Sequence, residues 1–157
     1  MLYRVAGSQA TLLIVTFAIM IGCAGIMTEE VEFLIENYNL NFIPAETALE
    51  ENIAILVAAF GVFLEHRRYL LNQIHPDGIP EQTDQFDRYA HRVGVMLILL
   101  AITIEAINLL FLALDNWDFN GSGIKYAEIG ILFFLNLIAC IMLAVFALRA
   151  IRSEAPN

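Results

Sequence analysis

The sequence predicts an all-α integral membrane protein: an antiparallel bundle of four transmembrane helices with both termini in the cytoplasm. Three observations lead there. Of 157 residues, 59% are hydrophobic and only 16% charged, at a mean hydropathy of +0.70, which is too little charge for a soluble domain of this length. Four apolar runs recur along the chain, and they are continuous rather than alternating, so helices are expected instead of a closed barrel. The basic residues also segregate. With the amino terminus inside, Arg4, Arg67, Arg68, Arg88, Arg92, Arg149 and Arg152 all fall on the cytoplasmic side and only Lys125 falls outside. The chain is expected in a bacterial inner membrane.

A hydrocarbon core of about 30 Å takes roughly 20 helical residues to cross. The expected spans are about 5–27, 47–68, 92–114 and 124–150, within one domain covering 1–157. The first follows Arg4 and ends near Met27. Its Met20-Ile21-Gly22-Cys23 weakly resembles a lipoprotein cleavage box, but the segment is expected to be retained as a helix. Ala18, Gly22 and Gly25 form a strip of small residues suited to close helix approach. The acidic stretch 28–46 is expected outside, either prolonging this helix or lying on the surface, and Pro44 suits the first turn of the next helix.

The second span is short as a pure apolar run. It reaches crossing length only with Thr47–Glu51 and Glu65–Arg68 in the headgroup zones, the arginines snorkelling outward. Ala54, Ala58, Gly61, Glu65 and Arg68 share one of its faces. The cytoplasmic loop 69–91 contains the turn His75-Pro76-Asp77-Gly78-Ile79-Pro80 and a polar helical lead-in from Glu81. The third span carries the sharpest pattern. Asp87, His91, Gly94, Ile98, Ala101, Glu105, Asn108, Leu112 and Asp115 follow steps of three and four and so line one face. Asn116-x-Asp118-x-Asn120-Gly121 resembles the start of an EF-hand loop but lacks its leading Asp, so a turn before helix four is the expectation, with Trp117 as an interface anchor.

Net charge is −9, and no basic patch supports nucleic-acid binding. The acidic excess, Glu29, Glu30, Glu32, Glu36, Glu46, Glu50, Glu51, Asp115 and Asp118, is assigned to a solvated external face. Cys23 and Cys140 are the only two cysteines, with no CxxC pair, so they are read as small buried apolar residues.

Two groups of residues invite a functional reading. Glu105 and Asn108 lie one turn apart in mid-span, where a carboxylate is costly, and Asn136 of helix four is the expected partner, with Thr16 and Thr103 as alternatives. On the cytoplasmic side, Glu65, His66, Asp87 and His91 form a polar cluster. Asp87 and His91 have the i, i+4 spacing that can grip a metal, and His66 with His91 could ligate a haem. Near the outer interface, Glu128 is expected to pair with Lys125.

With nearly every residue in a span or a short loop, the chain is expected to be a non-enzymatic membrane subunit. It would assemble with itself or with other membrane subunits and hold bound lipid, with no cofactor clearly implied. A small channel or proton-coupled carrier using Glu105 is the first alternative, and a redox, metal or haem module using His66 and His91 the second.

Overall fold

The computed structural model describes residues 8–36, 47–75, 78–117 and 122–154. They form four helices, α1 Gln9–Glu36, α2 Thr47–Ile74, α3 Glu81–Asn116 and α4 Ser122–Glu154. At 1.5 Å per residue, the 36 residues of α3 extend about 54 Å, well beyond a hydrocarbon core. The acidic stretch after Met27 prolongs α1 as far as Glu36, and the lead-in from Glu81 runs into α3 without a break.

Local chemistry sets the boundaries. The α2–α3 connection turns at Gly78, whose φ of +120° is a conformation that side chains rarely adopt. Pro80 precedes α3 and its carbonyl accepts from Asp84 N–H at 2.9 Å, opening the helix. At the far end of α3 the Trp117 N–H closes back on the Leu114 carbonyl at 3.1 Å. Residues 118–121, which carry most of the EF-hand-like stretch, lie outside the described residues, as do 37–46 of the acidic segment.

The helices neighbour one another in chain order, and α1 closes the ring against α4. Adjacent helices run antiparallel. Gln9 Nε2 of α1 donates to Ser153 Oγ of α4 at 2.7 Å, while Asn136, further back along α4, meets Glu30 near the other end of α1. In the same way Arg67 of α2 meets Asp87 of α3, and Gly61 meets Gly94. The start of α1 and the end of α4 therefore lie at one end of the bundle, and all six described arginines gather there.

The core stripe of α1 is Leu12, Thr16, Ile19, Cys23, Ile26 and Glu30, all at most 6% exposed, in steps of four and three. On α4, Phe146 is fully buried and acts as a hub. Its ring lies 6.0 Å from Phe60 of α2, 5.6 Å from Phe86 and 6.2 Å from Tyr89 of α3. Cys23 is buried, Cys140 partly so, and both are free thiols.

The tightest seam joins α2 and α3. A Cβ on Gly61 would stand 2.7 Å from the Gly94 carbonyl oxygen, and one on Gly94 2.6 Å from the Gly61 oxygen. Backbone meets backbone here, which only glycine permits. Among the described residues the α1–α2 pair is the loosest, leaving an apolar groove of about 490 Å³ lined by residues such as Ala18, Gly22, Leu56 and Phe63. Gly22 of the small-residue strip packs on Ile53, whereas Gly25 has open space beside it.

Three helices are long and apolar enough to cross a membrane, within Gln9–Glu32, Thr83–Asn116 and Gly123–Ser153. Of α2, the part Ile53–Ile74 does not meet that measure, because any stretch of crossing length within it includes Glu65, Arg67 and Arg68.

Candidate functional site

The stripe read on α3 is largely the face that this helix turns to α2. Asp87, Gly94 and Ala101 are buried, Ile98 abuts Gly61, and Glu105 continues the same line. Past Gly94 the two helices are spaced by alanines. Ala54 and Ala58 of α2 face Ala101 of α3, and together with Ile55, Ile102 and Glu105 they line a groove of about 330 Å³. Ile55 and Ile102 are 60% and 59% exposed, so this groove opens on the outer surface of the bundle.

Glu105 is partly exposed in that groove, and among the described residues its carboxylate has no hydrogen-bond or ion-pair partner. Asn108 is also partly exposed and makes no side-chain hydrogen bond among the described residues. The partners expected for Glu105 are engaged elsewhere. Asn136 Nδ2 donates to Glu30 Oε1 at 3.0 Å, Thr16 Oγ1 donates to the Leu12 carbonyl at 2.7 Å, and Thr103 Oγ1 donates to the Leu99 carbonyl at 2.8 Å. The expected grouping of Asn136 with Glu105 is thus corrected. Asn136 and Glu30 are 4% and 3% exposed, each on the buried stripe of its helix, so they meet inside the bundle while Glu105 looks out between α2 and α3.

Glu30 is the residue that sequence reasoning missed, since it was assigned to the external acidic face. The signal was present. Ile19, Cys23, Ile26 and Glu30 share one buried helical stripe.

At the arginine-rich end the structure corrects a second reading. Arg67 does not snorkel outward. Its Nη1 lies 3.4 Å from Asp87 Oδ1, with both side chains 2% exposed, and its guanidinium sits 5.2 Å from the Phe86 ring centre. One turn away Asp84 gathers two more arginines, Arg68 at 3.0 Å and Arg88 at 2.8 Å. Asp87 therefore neutralises a buried cation, while His91, one turn further along α3, is exposed. His66 is 68% exposed, with its Nδ1 3.1 Å from the Val62 carbonyl and 3.6 Å from Glu65. Among the described residues no three His, Cys, Asp or Glu side chains come together as a metal site. Lys125 and Glu128 are not within ion-pairing distance, so that expected surface pair is absent from the described contacts.

Comparison with protein-family models, curated proteins and solved structures finds no match to this chain. Its distinctive element is a carboxylate in an alanine-floored groove that opens outward along an apolar helix.

Proposed function

We propose that this protein is a non-enzymatic integral membrane subunit that assembles, with itself or within a larger membrane complex, through the α2–α3 groove at Glu105. The observation that carries this reading is the position of Glu105 itself. An ionisable side chain in mid-span costs about 2.5–3.5 kcal/mol on insertion scales and is retained where something answers it. Its own bundle supplies no partner among the described residues. The groove around it is floored by Ala54, Ala58 and Ala101, and small residues are what let another helix approach closely enough to hydrogen-bond.

In this reading α2 is a fourth crossing. The arginines near its end are answered within the bundle, Arg67 by Asp87 and Arg68 by Asp84. The arginine-rich end faces the cytoplasm of a bacterial inner membrane, with both chain ends on that side. Short connections between the described helices, such as 75–80 between α2 and α3, support a subunit role over catalysis.

The test is the mass of the purified assembly, by native mass spectrometry, for the unaltered protein, Glu105→Gln and Glu105→Leu. Assembly is expected in the unaltered protein and in Glu105→Gln, whose amide still hydrogen-bonds, with about ten-fold weaker association in Glu105→Leu. An unaltered protein that runs as a lone monomer, or a Glu105→Leu protein that assembles normally, contradicts the proposal. The same exposed carboxylate also favours a second reading, a proton-coupled carrier or small channel. In that case Glu105→Gln assembles normally yet abolishes flux in proteoliposomes.

A further inference from the structure

We propose that the arginine-rich end carries a binding site for the phosphate of an anionic phospholipid, built by Arg149, Arg152 and Arg92 around Tyr89. The inference is independent of the Glu105 groove, which lies on the α2 side of α3. It begins from how the six described arginines are used. Arg67 is spent on Asp87, and Arg68 and Arg88 share Asp84. Arg92, Arg149 and Arg152 are all exposed, and among the described residues none has a carboxylate partner. Three arginines without a carboxylate partner among the described residues thus remain, on the flank formed by α3 and α4.

They are not scattered. The Arg149 guanidinium lies 4.2 Å from the centre of the Tyr89 ring, close enough for a cation–π contact. Tyr89 stacks in turn on Phe146, with centroids 6.2 Å apart and planes 17° apart, and Phe146 is fully buried. The Arg149 head is therefore anchored through two aromatic rings to the core. A guanidinium resting over a ring still has N–H donors for phosphate oxygens. Arg152 is one turn beyond Arg149 on α4. Arg92 is one turn beyond Tyr89 on α3, and side chains on a helix lean toward its N-terminus, so Arg92 is directed back toward the turn that carries Tyr89.

The source of the phosphate follows from what adjoins the arginines. Nearer mid-span on the same flank, Met96 of α3 is 60% exposed and Val145 of α4 is 41% exposed, an apolar surface for acyl chains. A cationic rim above an apolar surface matches a lipid and not a free anion, and basic pockets between transmembrane helices are where acidic headgroups bind.

The experiment uses the full chain in detergent and follows retention of added phosphatidylglycerol by native mass spectrometry, against phosphatidylcholine and against soluble glycerol 3-phosphate as competitor. Phosphatidylglycerol is expected to be retained preferentially and not displaced by the soluble phosphate. Each arginine contributes about five-fold, so Arg92→Gln with Arg149→Gln weakens retention about 25-fold. Arg88→Gln, whose guanidinium is turned to Asp84, changes it less than about two-fold. Tyr89→Leu keeps every charge but removes the stack, and is expected to lose about five-fold, which gives a second variant should the double substitution fail to fold. Equal retention of the two lipids, displacement by glycerol 3-phosphate, or an Arg88→Gln loss as large as that of the double variant would each overturn the assignment.

Discussion

Substituting alanine for Gly61 or Gly94 is expected to destabilise the bundle by about 1–3 kcal/mol each, and valine by more. The new Cβ would meet a backbone carbonyl at 2.7 Å or 2.6 Å, and a carbonyl inside a helix cannot swing aside as a side chain end can. The α2 and α3 axes must then separate, and the contacts that depend on their spacing, including Arg67 with Asp87, loosen together. For a chain of this size the loss corresponds to a fall of roughly 2–12 °C in unfolding midpoint. Gly25→Ala and Gly130→Ala serve as controls, because a Cβ there meets nothing within 4 Å. They should leave the midpoint unchanged or raise it slightly through helix propensity. Equal losses at all four glycines would show that the effect is not one of close approach.

Breaking the Arg67–Asp87 pair from one side is expected to be more damaging still, about 3–5 kcal/mol for Arg67→Met or Asp87→Leu alone. Both groups are 2% exposed, so the survivor keeps a charge that has no access to water. The double variant, Arg67→Met with Asp87→Leu, should recover most of the loss, since a buried pair contributes little beyond its apolar equivalent. Asp84→Asn provides the contrast. Its partners Arg68 and Arg88 are 54% and 66% exposed, so screening holds the effect to about 0–1 kcal/mol. Chemical denaturation in detergent, run as a double-mutant cycle, measures all of these. Additive losses at Arg67 and Asp87 would mean that the two side chains do not act on one another.

The sequence made some of this legible and hid the rest for physical reasons. Apolar length exposes three crossing helices directly, and small residues at helical spacing mark Ala54, Ala58 and Gly61 on α2 and Gly94 and Ala101 on α3 as packing faces. Spacing alone cannot say which glycine meets which, because that depends on the register between two helices, and the register here is set by the Gly61–Gly94 contact and the Arg67–Asp87 pair. Polar residues were harder to place for a related reason. In sequence Glu30 is one more member of an acidic segment, and Asp87 one more member of a polar cluster, because neither position reveals which helix its face meets. Each proves to be buried against a partner on another helix, Asn136 and Arg67. Glu105 stands out for its depth, and it faces outward in the α2–α3 groove.

The assembly proposal is tested most directly by position-specific photo-crosslinking in native membranes. A photoreactive p-benzoylphenylalanine replaces Ile102, which lines the Glu105 groove and is 59% exposed, or Ile138 on α4, which is 46% exposed away from it. The proposal predicts one discrete adduct from position 102, of a second copy or another membrane subunit, which disappears when Glu105→Leu is added, and no comparable adduct from position 138. Equal crosslinking from both positions, or an adduct from position 102 that persists in Glu105→Leu, would contradict it.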